Sequence, residues 1–188
     1  MKTEEPRVAT GKVLLVNDSR AERPQSLKFG APIEPEEKRE RLRLDINYDG
    51  ALASFLQRNG YIVKVFDAYE DDLCTQMRDP VQAAEALGKL IAQFAPDDIL
   101  FDLDYFGDHT YGYQMLCWLK NNRIELFEDK SHPINMLVAS RYFGRTELTS
   151  RESIANEFSF VMNCIDRFRM SAREIADRYF RVSVEQPD

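Results

Sequence analysis

Short apolar runs alternate along this chain with stretches of helical spacing, and this alternation restricts the possible folds more than any other feature. The apolar runs have the length of strands and occupy 12–16, 61–66, 98–104, 133–140 and 158–162. Short, mainly apolar runs of this kind are typical of strands buried on both faces of a sheet. Between and after them, apolar residues recur every three or four positions, which predicts helices. Because their connections are right-handed, such strands and helices form a parallel sheet covered on both faces.

The predicted fold is therefore an α/β, flavodoxin-like arrangement of three layers. Its five-stranded parallel sheet would have the order 2-1-3-4-5, in which the first and third strands are neighbours. Residues 12–182 form a single domain in this prediction, between a loose tail at 1–11 and a short tail at 183–188. Three prolines and a dense charge cluster at 34–43 predict an insertion at about 21–47, which is either a solvated segment or a lid or docking arm beside the exit of the first strand.

The balance of charges argues against nucleic acid as a partner. The chain has a net charge of −7 and a pI of about 5.0, which disfavours broad binding to a phosphate backbone and leaves only a local basic patch open. No apolar run approaches the roughly 18 residues of a membrane-spanning helix, and residues 1–11 lack the apolar centre of a secretory signal. The odd number of cysteines favours a reducing compartment. We therefore expect a cytoplasmic protein with no membrane partner.

Polar side chains follow the first and the third predicted strands. Asn17 and Asp18 end the first strand, and Asp102 and Asp104 end the third. Neighbouring parallel strands end at one edge of the sheet, where open α/β sheets bind ligands, so these side chains are expected to share a pocket. Carboxylates in one pocket repel one another unless a cation lies between them, and oxygen ligands favour Mg²⁺ or Ca²⁺. The alternative is that the acids only cap helix N-termini.

The same residues resemble a known family. Val13 to Arg20 is similar to the first strand and acidic exit of the receiver domains of two-component response regulators. Ile99 to Asp102 is similar to the strand that presents their phosphoacceptor aspartate. The resemblance implies that Asp102 accepts a phosphoryl group, Asp18 binds Mg²⁺ and the backbone carbonyl of Asp104 completes the metal shell. It also implies phosphorelay signalling to a protein partner, either a kinase or a downstream effector, by a domain that is not itself an enzyme.

Several positions depart from the pattern of receiver domains. Asn17 stands where the family usually carries a first acid, so a metal there would have an amide ligand. The hydroxyl residue expected at the end of the fourth strand falls on Val138, and Ser140 is a substitute two positions later. The lysine expected near the exit of the fifth strand is absent, and Asn163 or Cys164 stands there. Candidates for phosphate contacts in its place are Arg20 and Arg141.

One alternative is a degenerate pseudo-receiver that binds a protein partner without phosphorylation. Aromatic side chains are dense around the predicted pocket, and exposed aromatics concentrate binding energy at interfaces. The interaction candidates are Tyr142, Phe143 and Phe160, the last where an aromatic switch residue often sits in receiver domains. A homodimer is a further arrangement that the sequence leaves open.

The other alternative is a phosphoesterase. Asn17 to Arg20, Asp102 to Asp104 and Gly144, together with 110–113 and 118–119, are similar to a receiver-like family proposed to process cyclic phosphates. That family has a histidine at the end of the fourth strand, so a general acid or base is missing here. His109, on the loop after the third strand, is the candidate to replace it, although a lone loop histidine is more often plain surface.

Overall fold

The computed structural model describes residues 11–17, 52–68, 79–105, 110–129, 131–140, 143–144, 147–166 and 170–180 of the 188-residue chain. The predicted insertion at 21–47 and the tail at 183–188 lie outside these residues, and so does the tail at 1–11 apart from Gly11. No helix in the described part of the chain is long and apolar enough to cross a membrane.

Five parallel strands form the centre of the fold. They are β1 Gly11–Asn17, β2 Tyr61–Asp67, β3 Asp98–Asp102, β4 Asn135–Ser140 and β5 Val161–Asp166. Their order across the sheet is β2-β1-β3-β4-β5, and every pairing is parallel. The predicted flavodoxin-like order is thus confirmed. Val16 lies beside Phe101 in the pairing of β1 with β3, so the two strands that end in candidate site residues are neighbours.

Helices cover both faces of the sheet, as predicted. They are α1 52–58, α2 Pro80–Phe94, α3 Tyr111–Asn122, α4 Glu125–Glu128, α5 Arg151–Glu157 and α6 Ala172–Tyr179. On one face, α2, α3 and α5 pack over the core that contains Phe101. On the other face, α1 and α6 pack over the core that contains Leu100. Because successive strand residues point to opposite faces, β3 contributes alternate side chains to the two cores.

The bounds of α2 follow from its sequence. The side chain of Asp79 accepts hydrogen bonds from the backbone amides of Val81 (2.9 Å) and Gln82 (3.1 Å), which lack a partner within the helix. Pro80 takes the first helical position, where its missing amide costs nothing. The helix ends at Phe94, and the next residue, Ala95, has a left-handed φ of 48°. Both ends agree with the sequence, in which helical spacing of apolar residues after Pro80 and the proline at 96 predict a helix between them.

The fifth strand lies about three residues later than predicted. The apolar run 158–162 predicts a strand, but β5 is Val161–Asp166, and Phe158 and Phe160 pack into the core from the turn before it. The strand lies at the edge of the sheet, so it lacks the uninterrupted apolar run of a strand buried on both faces. Met162 is the extra residue of a bulge against β4 and is 64% exposed.

Helix α6 begins at the later of two predicted starts, since the spacing of apolar residues favours an early start and Ser171 with Glu174 marks a later one. That spacing extends from Ile165, but Ile165 belongs to β5 and the helix starts at Ala172. The hydroxyl of Ser171 accepts from the backbone amide of Glu174, and the Glu174 carboxylate accepts from the backbone amide of Ser171. This capping box satisfies amides at the first turn, so it decides where the helix begins.

Helix α5 has a different cap from the one predicted. Thr149 with Glu152 three residues later is a capping-box pattern. Thr149 is instead buried at the end of a 3-10 turn, Glu147–Thr149, and the hydroxyl of Ser150 accepts from the amide of Ser153 at 3.0 Å. The helix therefore starts at Arg151, one residue beyond the predicted first position.

Candidate functional site

Asp102 is the last residue of β3 and lies at the carboxyl edge of the sheet. It is buried, with 5% of its surface exposed, and it lies opposite Ala139 of β4. On the other side of β3 is β1, which ends at Asn17. The chain order reverses between β1 and β3, and sheets of this class bind their ligands at such a switch point. The topology thus puts a buried carboxylate where this fold provides a crevice.

The turn after Asp102 is held by its own side chain and by β4. The Oδ1 atom of Asp102 accepts a hydrogen bond from the backbone amide of Asp104 at 3.1 Å. The amide of Leu103 donates to the carbonyl oxygen of Ala139 at 3.0 Å, which continues the contact with β4 one residue past the end of β3. Both bonds fix the direction in which the chain leaves the sheet. The carboxylates of Asp102 and Asp104 are therefore presented from one ordered turn.

Helix α3 starts directly against this turn. The amide of Gly112 donates to the carbonyl oxygen of Leu103 at 3.2 Å. A β-carbon added at Gly112 would lie 2.6 Å from the Leu103 α-carbon and 2.8 Å from the Asp102 carbonyl oxygen, distances that real side chains do not reach. The buried rings of Tyr105 and Tyr111 lie with their centroids 4.7 Å apart beside this contact. Glycine at 112 is therefore required by the close approach of helix and turn.

Ser140 is brought to the same turn from β4. Its hydroxyl donates to the Oδ2 atom of Asp104 at 2.6 Å, and only 2% of the residue is exposed. Val138, where the resemblance places a hydroxyl, is fully buried in the core beside Phe101. The structure thus brings Asp102, Asp104 and Ser140 together. The hydroxyl at the end of β4 belongs to Ser140, and not to the position of Val138, where the resemblance places it.

An ion pair stands at the exit of β5. Asp166, the last residue of the strand, lies opposite Ser140, and its Oδ2 atom is 3.2 Å from the Arg151 Nη2 atom. The guanidinium carbon of Arg151 also lies 5.4 Å from the centre of the Phe143 ring. The expectation that Asn163 or Cys164 occupies the exit of β5 is wrong, because the strand continues to Asp166.

Sequence reasoning did not find the Arg151–Asp166 pair. The available signal was a cation at the first position of a helix, where the helix dipole disfavours positive charge. Next to the pair, burial raises the pKa of the Cys164 thiol to about 11, although the charge of Arg151 acts in the opposite direction. The described cysteines, Cys117 and Cys164, are not in a disulfide.

The remaining candidate residues either lie away from the turn after β3 or are outside the described part of the chain. Asp18, Arg20, His109, Arg141 and Tyr142 are not among the described residues, and only the backbone of Asn17 is described. Phe143, half-buried, packs against the core on the α3 side of the sheet.

Phe160 lies just before the start of β5, at the amino end of the parallel strands, whereas Asp102 lies at the carboxyl end of β3. It is 8% exposed, and its ring stacks on Phe127 with centroids 4.4 Å apart. The prediction that Phe160 belongs to the fifth strand is wrong, because β5 begins after it. Its burial leaves little of the ring for contact with a partner.

The donor atoms at the turn are of the kind that Mg²⁺ prefers. Asp102 and Asp104 supply carboxylate and carbonyl oxygens. Within the described ranges, no group of three or more acidic, histidine or cysteine side chains is arranged to hold a metal ion. The expected third ligand, Asp18, lies outside those ranges, so a magnesium site remains a prediction.

Comparison with known proteins found similar solved structures, at low sequence identity. No protein-family model and no curated protein matches the chain. One similar solved structure is the signal receiver domain of a Luxo repressor protein from Vibrio parahaemolyticus, with 13% identity and a TM-score of 0.45 over 89% of this chain and 85% of that one. Another is the N-terminal domain of the nisin resistance regulator NsrR, a lantibiotic response regulator, with 14% identity and a TM-score of 0.49 over 92% of this chain and 97% of that one.

The class of fold follows from the chain itself. A parallel sheet of order 2-1-3-4-5 with helices on both faces is the flavodoxin-like arrangement, which receiver domains share. The chain therefore has a flavodoxin-like fold.

Proposed function

We propose that this chain is a signal-transduction receiver domain that accepts a phosphoryl group on Asp102 and thereby alters its contact with a protein partner. The observation that carries the proposal is the position of Asp102, a buried carboxylate at the carboxyl end of the central strand. Its Oδ1 atom is oriented by the amide of Asp104. A carboxylate held in this way is suited to attack in line on a phosphoryl donor, because its orientation is fixed before the donor binds.

The acceptance step has a simple balance. A carboxylate oxygen of Asp102 forms a bond to phosphorus, and the bond between phosphorus and the leaving oxygen of the donor breaks. Asp102 then carries the phosphoryl group as an acyl phosphate, and the rest of the donor is released. Mg²⁺ would neutralise charge on the phosphoryl oxygens, held by Asp102, Asp18 and the backbone carbonyl of Asp104. The hydroxyl of Ser140 is the group at the end of β4 that can donate to a phosphoryl oxygen.

The ion pair at the exit of β5 favours a second candidate function. Asp166 is opposite Ser140 and is paired with Arg151. Among the described residues, Arg151 is the cation at this exit, whereas an acyl phosphate would gain from a cation that is not already paired. A pseudo-receiver that binds a protein partner without phosphorylation needs no such cation. This interaction module is the alternative against which the phosphoacceptor is tested.

The test is intact-protein mass spectrometry after incubation with acetyl phosphate and MgCl₂. Wild-type protein should gain the mass of one phosphoryl group, and Asp102→Asn should abolish the gain. Asp98→Asn is the matched control, because Asp98 lies at the other end of β3 and its carboxylate accepts from the Asn135 side chain at 2.8 Å. This variant should be phosphorylated like the wild type. An unmodified wild-type protein, or a gain that persists in Asp102→Asn, would overturn the phosphoacceptor proposal.

A further inference from the structure

We propose that Asp104 is a positioning residue that holds the Ser140 hydroxyl away from an incoming phosphoryl group and so slows phosphorylation of Asp102. The inference rests on the proposed function and goes beyond it, because it assigns the Asp104 side chain a role separate from metal binding. The two side chains meet in one contact, from Ser140 Oγ to Asp104 Oδ2 at 2.6 Å.

The contact is strong for a hydrogen bond between side chains. A carboxylate acceptor makes the bond charge-assisted, and such bonds are shorter and roughly twice as strong as neutral ones. Ser140 is buried, so water replaces the carboxylate poorly if the bond is broken. The hydroxyl is therefore held toward Asp104 in the unmodified protein.

Competition for the hydroxyl follows from its single proton. A serine hydroxyl donates one hydrogen bond, so Ser140 cannot donate fully to Asp104 and to a phosphoryl oxygen on Asp102 at the same time. Asp102 and Asp104 belong to one turn, joined by the bond from the Asp104 amide to Asp102 Oδ1 at 3.1 Å. The phosphoryl group would arrive beside the Asp104 carboxylate, which already accepts the hydrogen bond of the Ser140 hydroxyl.

Asp104 also acts through its charge. A second carboxylate beside Asp102 repels the negatively charged donor, whether or not Ser140 is present. The charge and the hydroxyl competition can be separated, because only the second depends on Ser140. An alanine at 104 removes both contributions, whereas an alanine at 140 removes the hydroxyl, and with it the competition, but leaves the charge of Asp104.

The experiment is a cycle of four proteins: wild type, Asp104→Ala, Ser140→Ala and the double variant. The rate of phosphorylation by acetyl phosphate with MgCl₂ is followed by intact mass. With serine at 140, Asp104→Ala should raise the rate of phosphorylation. The factor should be about tenfold larger than the factor by which Asp104→Ala changes the rate with alanine at 140, which is the value expected for one charge-assisted hydrogen bond. A residue that only supports the fold would lower the rate when it is removed.

A second measurement uses the unmodified proteins. Urea unfolding of the same four variants should show that the effects of the two substitutions on stability are not additive, because they remove the same bond. Additive effects would mean that the bond is not made in solution and would overturn the inference.

The rate measurement has two negative outcomes. Equal effects of Asp104→Ala in the two backgrounds, in proteins that are phosphorylated, would overturn the inference and leave the proposed function standing. A complete absence of phosphorylation in all four proteins would overturn both.

Discussion

The amide of Gly112 donates to the carbonyl oxygen of Leu103 over 3.2 Å, so the first turn of α3 rests on the turn that carries Asp102. A hydrogen atom is the largest side chain that this contact admits, because an added β-carbon would lie 2.6 Å from the backbone of Leu103. The helix and the end of β3 are therefore fixed to each other, and the position of Asp102 depends on the glycine.

Gly112→Ala should destabilise the protein. In a helix, alanine is favoured over glycine by up to about 1 kcal/mol, but the clash is with backbone and should cost about 2 kcal/mol or more. The free energy of unfolding in urea measures the balance. Gly88→Ala in α2 is the control, because an added β-carbon there meets only side-chain atoms of Arg123 and Leu119, at 3.4 Å or more. Equal stability of the two variants would contradict the contact between α3 and the turn.

Phe160→Ala should lower the free energy of unfolding by about 3 kcal/mol, because a large buried side chain is removed. The ring stacks on Phe127 and lies beside Phe158. Met162→Ala, two residues away at a position that is 64% exposed, should change stability by less than about 0.5 kcal/mol. If Phe160→Ala unfolded like the wild type but lost binding to a partner, Phe160 would be an interaction residue instead of a core residue.

Ser171→Ala should destabilise α6 by about 1 kcal/mol, the usual effect of losing an N-cap. The helix contributes Ile175 to the core and is tied to β2 by a hydrogen bond from the Tyr61 hydroxyl to the carbonyl oxygen of Phe180. Hydrogen exchange should accelerate first in the amides of α6. Ser159→Ala, in an exposed turn, serves as the control and should leave exchange in α6 unchanged.

The centre of the sheet could be predicted from sequence, but its edge and the contacts at the site could not. β1 and β3 are buried on both faces, so their apolar runs are uninterrupted and the ends at Asn17 and Asp102 are visible. β5 is half exposed, and the aromatic residues before it imitate a strand. The bond between Ser140 and Asp104 depends on where two strands stop relative to each other, which no local pattern records.

The thiol of Cys164 should be nearly inert at neutral pH. Burial raises its pKa from the ordinary 9.0 to about 11, and the thiolate is the form that reacts. In a protein with Cys74 and Cys117 replaced by serine, alkylation by iodoacetamide at pH 8 should be far slower in the folded state than in urea.

The raised pKa of the Cys164 thiol also decides how the stability of the fold changes with pH. Folding favours the neutral thiol, so the contribution of Cys164 to stability is full below pH 9 and declines as the pH rises toward 11. Alkylation at equal rates in folded and unfolded protein would contradict the burial of the thiol.

Whether Asp102 accepts a phosphoryl group can be decided by a crystal structure of the protein with Mg²⁺ and beryllofluoride. Beryllofluoride stands in for the phosphoryl group and bonds to a carboxylate oxygen. We expect density for it on Asp102, with Mg²⁺ beside it and the Ser140 hydroxyl turned from Asp104 toward a fluorine atom. An Asp102 carboxylate that carries no added density, with the 2.6 Å contact between Ser140 and Asp104 unchanged, would show that Asp102 is not the acceptor.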